Sequence, residues 1–398
     1  QNTGSLMEVL QRAGTELGGL TTEETARRID RVRTTIRWWH WSDFIVELGA
    51  RADLSAAASL TGRDAKGRFV VDQLRAVAER TQQAIIRELD AFDVTYTPFW
   101  AANIILVHAD AQVLERLASR AEVARVSANS RLVAPRPPLE AVPTGPASPA
   151  GVEGNITQIN APRAWAEGYY GQGVVVAGQD TGYQWDHPAL INQYRGWNGS
   201  TVDHHYSWHD AIHGAGGDLP APSDDYDHGT HTMGTILGND LPPTSTGWPS
   251  AAQNAIGVAP GARWIGCRSM RNGVGSVASY TECFQWLMAP TNLSGANPDP
   301  SRAPDIINNS WSCIPSEGCT SPDLLLAVVQ SVRAAGILTI QSAGNSGPAC
   351  STIVHPAGIY DESLTVGSTD SNDAITTGSS RGPVSHAQSD SVERVLAM

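Results

Sequence analysis

The sequence predicts an α/β domain built on a mostly parallel sheet with helices on both faces, preceded by a smaller α+β module. Three observations carry this. After residue 155, short apolar runs alternate with helical patterns, as parallel strands joined by crossover helices require. Across 44–133 the signals run β-α-β-β-α-β, the order of a split βαβ sandwich of ferredoxin type. Between the two lies 134–154, with prolines at 135, 137, 138, 143, 146 and 149 and few apolar residues, which reads as an extended, exposed linker.

Taken in order, residues 1–43 read as an N-terminal helical extension. Residues 6–13 and 23–36 carry helical patterns, the second rich in arginine, and Trp38, Trp39 and Trp41 cluster beyond them. Packing against the next domain is the reading for that cluster. In 44–133 the run 44–48 reads as a strand. Residues 68–91 read as a helix, because Val71, Leu74, Val77, Ala78, Ile85 and Leu89 fall near one face. Residues 94–96 and 102–107 read as strands. Asp110 can cap a helix carrying Val113, Leu114 and Leu117, and 123–126 closes the module as a strand. In 155–384 the strand-like runs are 174–177, 264–267, 305–308 and 337–341, with helical patterns at 281–287 and 322–335. Residues 385–398 form a polar tail.

Composition narrows the function. With 398 residues and 41% hydrophobic residues, the chain can bury a sizeable core in two or three domains. A net charge of −13 argues against nucleic-acid binding, which needs a basic face. No apolar run approaches the roughly 20 residues of a membrane-spanning helix. The first residues lack a basic start and a signal-like apolar core, and the chain begins with Gln, so a leader is expected to have been removed or not included. The cysteines, 267, 283, 313, 319 and 350, match no zinc spacing. Cys313 and Cys319 flank a turn and can bridge, and Cys267 and Cys283 can close a second bridge. Disulfides imply an oxidising compartment, while the fifth cysteine is unexplained.

The chemistry centres on two segments. VVVAGQDTG at 174–182 is an apolar run ending in Asp180, and HGTHTMGT at 228–235 begins with His228 and continues with small residues that can open a helix. A carboxylate at a strand end and an imidazole at a helix start make a general base held in one tautomer by a buried acid. Gly229 allows close approach behind His228. Three competing readings are weaker. Asp-Thr-Gly is also the aspartic-protease signature, but that chemistry needs a second such carboxylate and no second copy occurs. His228 and His231 share a helix face as a metal pair would, but HExxH is absent. His231 is therefore read as a packed or hydrogen-bonded histidine. A cysteine nucleophile would need a base partner, and His228 already has its aspartate. After the run 337–341, the segment SAGN brings the Asn345 amide to the end of a strand, where it can donate to a developing oxyanion. Asp180, the segment 308–312 and Asn345 all follow strand-like runs, the end of a parallel sheet where active sites lie.

These motifs identify the chain as resembling the subtilisin-like serine proteases, and within them the bacillopeptidase F group. The resemblance covers 155–384 and includes GVAPGARW at 257–264, NNSW at 308–311, SAGNSGP at 342–348 and SSRGP at 379–383. It implies a secreted endopeptidase acting on polypeptides with no cofactor in its chemistry. It implies that Asp180 orients the base, His228 is the base, and Asn345 is the oxyanion donor. Gly273, Val274 and Gly275, and Ser310, Trp311 and Ser312, match the two strands that pair with a substrate backbone. Ser312 stands where glycine is usual. The module 44–133 is similar to the family's propeptides, which chaperone folding and cap the active site, with maturation cleavage expected in 134–154. Calcium is common in the family, but the acidic stretch 218–227 has no EF-hand pattern and reads as a solvated loop.

One departure dominates. The family follows SSRGP with more sheet and a Gly-Thr-Ser-Met-Ala helix start bearing the nucleophile, yet no Gly-Thr-Ser occurs in this sequence. The expectation is a C-terminally truncated catalytic domain, inactive as written, with apolar surface exposed at its C-terminal edge. The alternative is a non-catalytic pseudo-protease that binds peptides or a protease.

Overall fold

The computed structural model describes residues 41–133, 151–240, 255–312 and 321–384. The chain clusters into two compact units, Gln1–Ser130 and Arg131–Met398. The helical patterns in 1–40, Trp38 and Trp39, the Pro-rich stretch 134–150, the pair Cys313 and Cys319, and the tail lie outside the described residues.

The first unit is a four-stranded antiparallel sheet with two helices. Its elements are β1 (Ser42–Leu48), α1 (Arg63–Ala91), β2 (Thr95–Phe99), β3 (Ile104–Ala109), α2 (Ala111–Ala118) and β4 (Val123–Ala128). The sheet order is β2-β3-β1-β4, with antiparallel neighbours. Phe44, Val46 and Leu48 alternate along β1 onto one face, where they meet Ile85 and Leu89 of α1 and Leu114 and Leu117 of α2. Asp110 caps α2 as its sequence position indicates, accepting from the amides of Gln112 at 3.0 Å and Val113 at 3.1 Å. Helix α1 starts at Arg63, five residues before the expected start at 68. Gly62, at φ +86°, is the stop, and the polar residues after it can propagate a helix that the stripe does not mark. Pro98 lies on β2, an edge strand, where a missing N–H costs no ladder bond.

Glu115 of α2 is 7% exposed, and one of its carboxylate oxygens has no hydrogen-bond partner. Burial raises its pKa to about 7. A carboxyl whose folded pKa is raised stabilises the fold below its unfolded value, here 4.5, and loses that contribution as pH rises through about 7. Glu115→Gln is therefore expected to raise the unfolding midpoint at pH 8 and leave it unchanged at pH 4. An equal shift at both pH values would contradict this origin.

The second unit is organised by a six-stranded sheet. Its elements begin with β5 (Arg131–Val133), α3 (Gly154–Gln158), α4 (Ala161–Ala166), β6 (Val175–Asp180), β7 (Trp208–Asp210) and α5 (His228–Leu237). They continue with β8 (Arg263–Arg268), β9 (Met270–Arg271), β10 (Val274–Ser276), α6 (Val277–Met288), β11 (Ile306–Asn309), α7 (Leu326–Ala334), β12 (Leu338–Ser342) and β13 (Ser363–Val366). The sheet order is β13-β12-β11-β6-β8-β7, and every neighbouring pair is parallel. Strands run outward from β6 in both directions, so the order reverses there, and the crevice at the carboxyl end of β6 is the natural ligand site of such a sheet. Val176 to Asp180 are all buried, as a strand covered on both faces requires. Tyr183, Tyr194, Trp208 and Trp264 pack together with Met233 and Leu237 of α5. The indoles of Trp208 and Trp264 donate to the carbonyls of Leu219 and Leu190, so this aromatic core buries no orphaned indole N–H at either position. At the opposite edge, Leu364 and Val366 of β13 and the nearby Ile375 are exposed.

Cys267 of β8 and Cys283 of α6 form a disulfide, both residues being fully buried, and Cys350 is free and exposed. The bridge spans a sequence separation of 16. Replacing both cysteines with alanine is expected to cost about 3 kcal/mol in denaturant unfolding. Unchanged stability in the double variant would contradict a structural role.

Candidate active site

Asp180 is the last residue of β6 and is 1% exposed. A buried carboxylate needs donors. Its Oδ1 accepts from the Thr181 amide at 2.7 Å and lies 2.7 Å from His228 Nδ1, while Thr232 Oγ1 donates to Oδ2 at 3.5 Å. His228 opens α5. A carboxylate oxygen only accepts, so Nδ1 carries the shared proton and Nε2 keeps a lone pair. Burial disfavours the charged imidazole, but the Asp180 hydrogen bond and charge, with the charge of Asp224 behind them, prevail and raise its pKa.

The helix start is built without a local side-chain cap. Asp227, the N-cap residue, sits at φ +67° and makes no side-chain cap bond. The Gly229 amide donates instead to Thr181 Oγ1 at 3.0 Å, and the Thr230 amide to Asp224 Oδ2 at 2.9 Å. Gly229 is packed so closely that a Cβ would strike the Gly182 carbonyl and come within 3.1 Å of the Asp180 Cβ.

The acidic stretch 218–227 is a largely exposed loop, and three of its acids have partners. Asp218 Oδ1 is 2.7 Å from His213 Nδ1, Asp224 binds the first turn of α5, and Asp225 pairs with the buried Arg268 and accepts from the Asn272 amide. Arg268 is the register partner of Asp180 on β8 and also reaches Asp210 at 3.5 Å. The other end of this loop is held by Glu282, whose Oε1 is 2.8 Å from Nε2 of both His209 and His213. Burial opposes the Glu282 charge, but the two histidines outweigh it and hold its pKa at about 2. The Glu282 hydrogen bond in turn raises His213 to about 9. His231, by contrast, is exposed rather than packed; its amide donates to the Asp227 carbonyl and its carbonyl accepts from Thr235 Oγ1. Among the described residues no group of three or more histidine, cysteine, aspartate or glutamate side chains is arranged to hold a metal ion.

Asn345 lies on an exposed bend just past β12. The parallel register aligns Gly178 with Asn308 and Asn309 with Gln341, so Asp180, Ser310 and Ser342 end at one level and Asn345 lies beyond it. Gly344 before it needs its φ of +93°, and a Cβ there would come within 3.0 Å of His355 Nε2. The segment SSRGP braces this loop, with the Ser380 amide donating to the Gly344 carbonyl and Ser380 Oγ accepting from the Ser346 amide, both at 2.9 Å.

The two candidate substrate segments differ. Val274 and Gly275 lie in β10 and Gly273 in the turn before it, at φ +74°. They belong to a small antiparallel sheet of order β5-β10-β9, in which Val133 pairs with Val274, Leu132 with Gly275 and Arg131 with Ser276. Ser310, Trp311 and Ser312 form no strand. Trp311 is buried with its ring centroid 3.9 Å from that of Tyr280, and its carbonyl accepts from Gln341 Nε2 and Ser342 Oγ. Sequence reasoning missed Thr181, Asp224 and Thr230. The only local sign of Asp224 was an acid a few residues ahead of a helix start.

An acid–imidazole pair at the switch point of a parallel sheet is a general base held in one tautomer by a buried carboxylate. The chain belongs to the subtilase family, whose model matches residues 171–393. It is 36% identical over 361 residues to bacillopeptidase F of Bacillus subtilis, covering 85% of this chain and 24% of that protein. It is 33% identical over 218 residues to the major intracellular serine protease of the same organism, covering 54% of this chain and 56% of that one. It is 30% identical over 224 residues to subtilisin Savinase of Lederbergia lenta, covering 54% and 63%. The chain thus spans about a quarter of the bacillopeptidase F length. No helix among the described residues is long and apolar enough to cross a membrane.

Gly229→Ala is expected to push α5 off the end of β6 and cost about 1–3 kcal/mol in denaturant unfolding. A cost below about 0.5 kcal/mol would mean the helix start is not held where it is described.

Proposed function

We propose that the chain is part of a secreted subtilisin-type serine endopeptidase precursor acting on polypeptides. Asp180 orients the base, His228 Nε2 takes the proton of a serine hydroxyl and returns it to the leaving amine, and Asn345 donates to the oxyanion. The observation that carries this reading is the 2.7 Å contact between buried Asp180 Oδ1 and His228 Nδ1. The buried disulfide supports an oxidising destination.

The substrate backbone adds as a strand to Gly273–Gly275, with 310–312 on the other side. Pairing of Arg131–Val133 with Val274–Ser276 supports this, because the chain's own segment takes the position a substrate strand would take. Residues 44–133 act as the inhibitor and folding aid, and maturation cleavage falls in 134–154, directly beyond that strand.

The serine nucleophile is absent from these residues, since the sequence holds no Gly-Thr-Ser and its serines after 384 stand in a polar tail. The chain as given therefore does not hydrolyse peptides at a useful rate. Loss of the nucleophile costs about a million-fold in subtilisin.

The test compares the chain as given with a chain extended by its downstream coding sequence, on a denatured protein substrate. The first is expected to be inactive. The second is expected to cleave, with Asn345→Ala lowering kcat about 10²–10³-fold and His228→Ala abolishing turnover. Cleavage by the unextended chain that His228→Ala removes would overturn the inactivity. An extended chain that binds peptide without cleaving would favour the non-catalytic alternative.

A further inference from the structure

We propose that Asp224 is a positioning residue for His228. Its carboxylate fastens the first turn of α5 to the turn after β6, and so holds the imidazole at hydrogen-bond distance from Asp180. The proposal rests on the Asp180–His228 reading above.

The geometry is specific. Asp224 Oδ1 accepts from Thr181 Oγ1 at 2.8 Å and from the amides of Tyr226 and Asp227, each at 3.0 Å. Its Oδ2 accepts from the Thr230 amide at 2.9 Å and from Thr230 Oγ1 at 2.7 Å. Thr181 directly follows Asp180, and Thr230 is two residues after His228. One carboxylate therefore grips the neighbours of both members of the pair.

The grip replaces a missing cap. The first amides of a helix have no intrahelical acceptor and are ordinarily served by the N-cap side chain. Asp227 does not do this. Its task is divided between Thr181 Oγ1, which takes the Gly229 amide, and Asp224 Oδ2, which takes the Thr230 amide. Thr181 Oγ1 is itself oriented by its bond to Asp224. Both amides are thus served through Asp224: Thr181 Oγ1 ties α5 directly to the turn after β6, and Asp224, in the loop before the helix, is joined to that turn by its own bond to Thr181. A backbone bridge between Gly182 and Asp224, with the Tyr183 amide donating to the Ser223 carbonyl at 3.3 Å, fixes the carboxylate from behind. A local cap would stabilise the helix equally well but leave its distance from Asp180 unset. Asp224 also adds to the charge that favours protonated His228.

The test is the titration of the His228 imidazole by nuclear magnetic resonance in the chain as given, for the native sequence and for Asp180→Asn, Asp224→Asn, Thr181→Val and Thr181→Ser. Asp224→Asn and Thr181→Val are expected to lower the His228 midpoint and to lose the slowly exchanging Nδ1–H signal. Thr181→Ser is expected to retain both. Thr181→Val keeps every charge, so a change there reports geometry. The buried His355 signal reports folding, and if Asp224→Asn does not fold, the Val and Ser comparison at 181 decides. Folded Asp224→Asn and Thr181→Val proteins with a native His228 titration would overturn the proposal. If Asp180→Asn alone moves His228, only Asp224 is excluded. If it too changes nothing, the Asp180–His228 reading itself fails.

Discussion

Everything around the candidate site follows from one buried carboxylate at the end of a central strand. Asp180 is enclosed because β6 has neighbours on both sides and layers on both faces, and an enclosed carboxylate must be met by donors. The Thr181 amide is the first and His228 the second, with Thr232 Oγ1 a longer third at 3.5 Å. That second bond requires a helix to begin at a defined height over the strand end. The close packing of Gly229 against Gly182, the capping by Thr181 and the Asp224 grip are the means by which it does.

The long connection from β7 to α5 would otherwise be free to move the helix. It is secured at both ends by charge. Glu282 binds His209 and His213 where the loop leaves the sheet, and Arg268 binds Asp225 where it arrives. The disulfide joins the same two elements, since Cys283 neighbours Glu282 and Cys267 neighbours Arg268. Rigid support of this kind is what the proposed proton-transfer role requires, because misplacement by about 1 Å can cost 10²-fold in rate.

Much of the architecture was legible in the sequence, for identifiable reasons. β6 and β8 are buried on both faces and read as continuous apolar runs, and α1 carries a clear stripe at helical spacing. Asp180 and His228 were legible because strand-end acid and helix-start imidazole leave a local signature in the chain. β7 was not, because three residues hold no period and its pairing with β8 is set by distant sequence. β13 is a short edge strand whose Ser363 and Thr365 are buried while Leu364 and Val366 are exposed, the reverse of the usual apolar-in alternation. Asp224 escaped because its partner Thr181 is 43 residues away, and the pairing of Asp225 with Arg268 escaped for the same reason. The bond from Gln341 Nε2 to the Trp311 carbonyl was hidden in the same way, its partners standing 30 residues apart.

The central claim is that Asp180 fixes His228 with the proton on Nδ1 and a free lone pair on Nε2. The most direct measurement is the tautomer of the neutral imidazole, read from the ¹⁵N shifts of its two ring nitrogens at a pH above its titration. The account predicts Nδ1 protonated and Nε2 bare. A neutral ring protonated on Nε2 would contradict it, since Asp180 would then have no proton to accept and the helix start no reason to lie where it does.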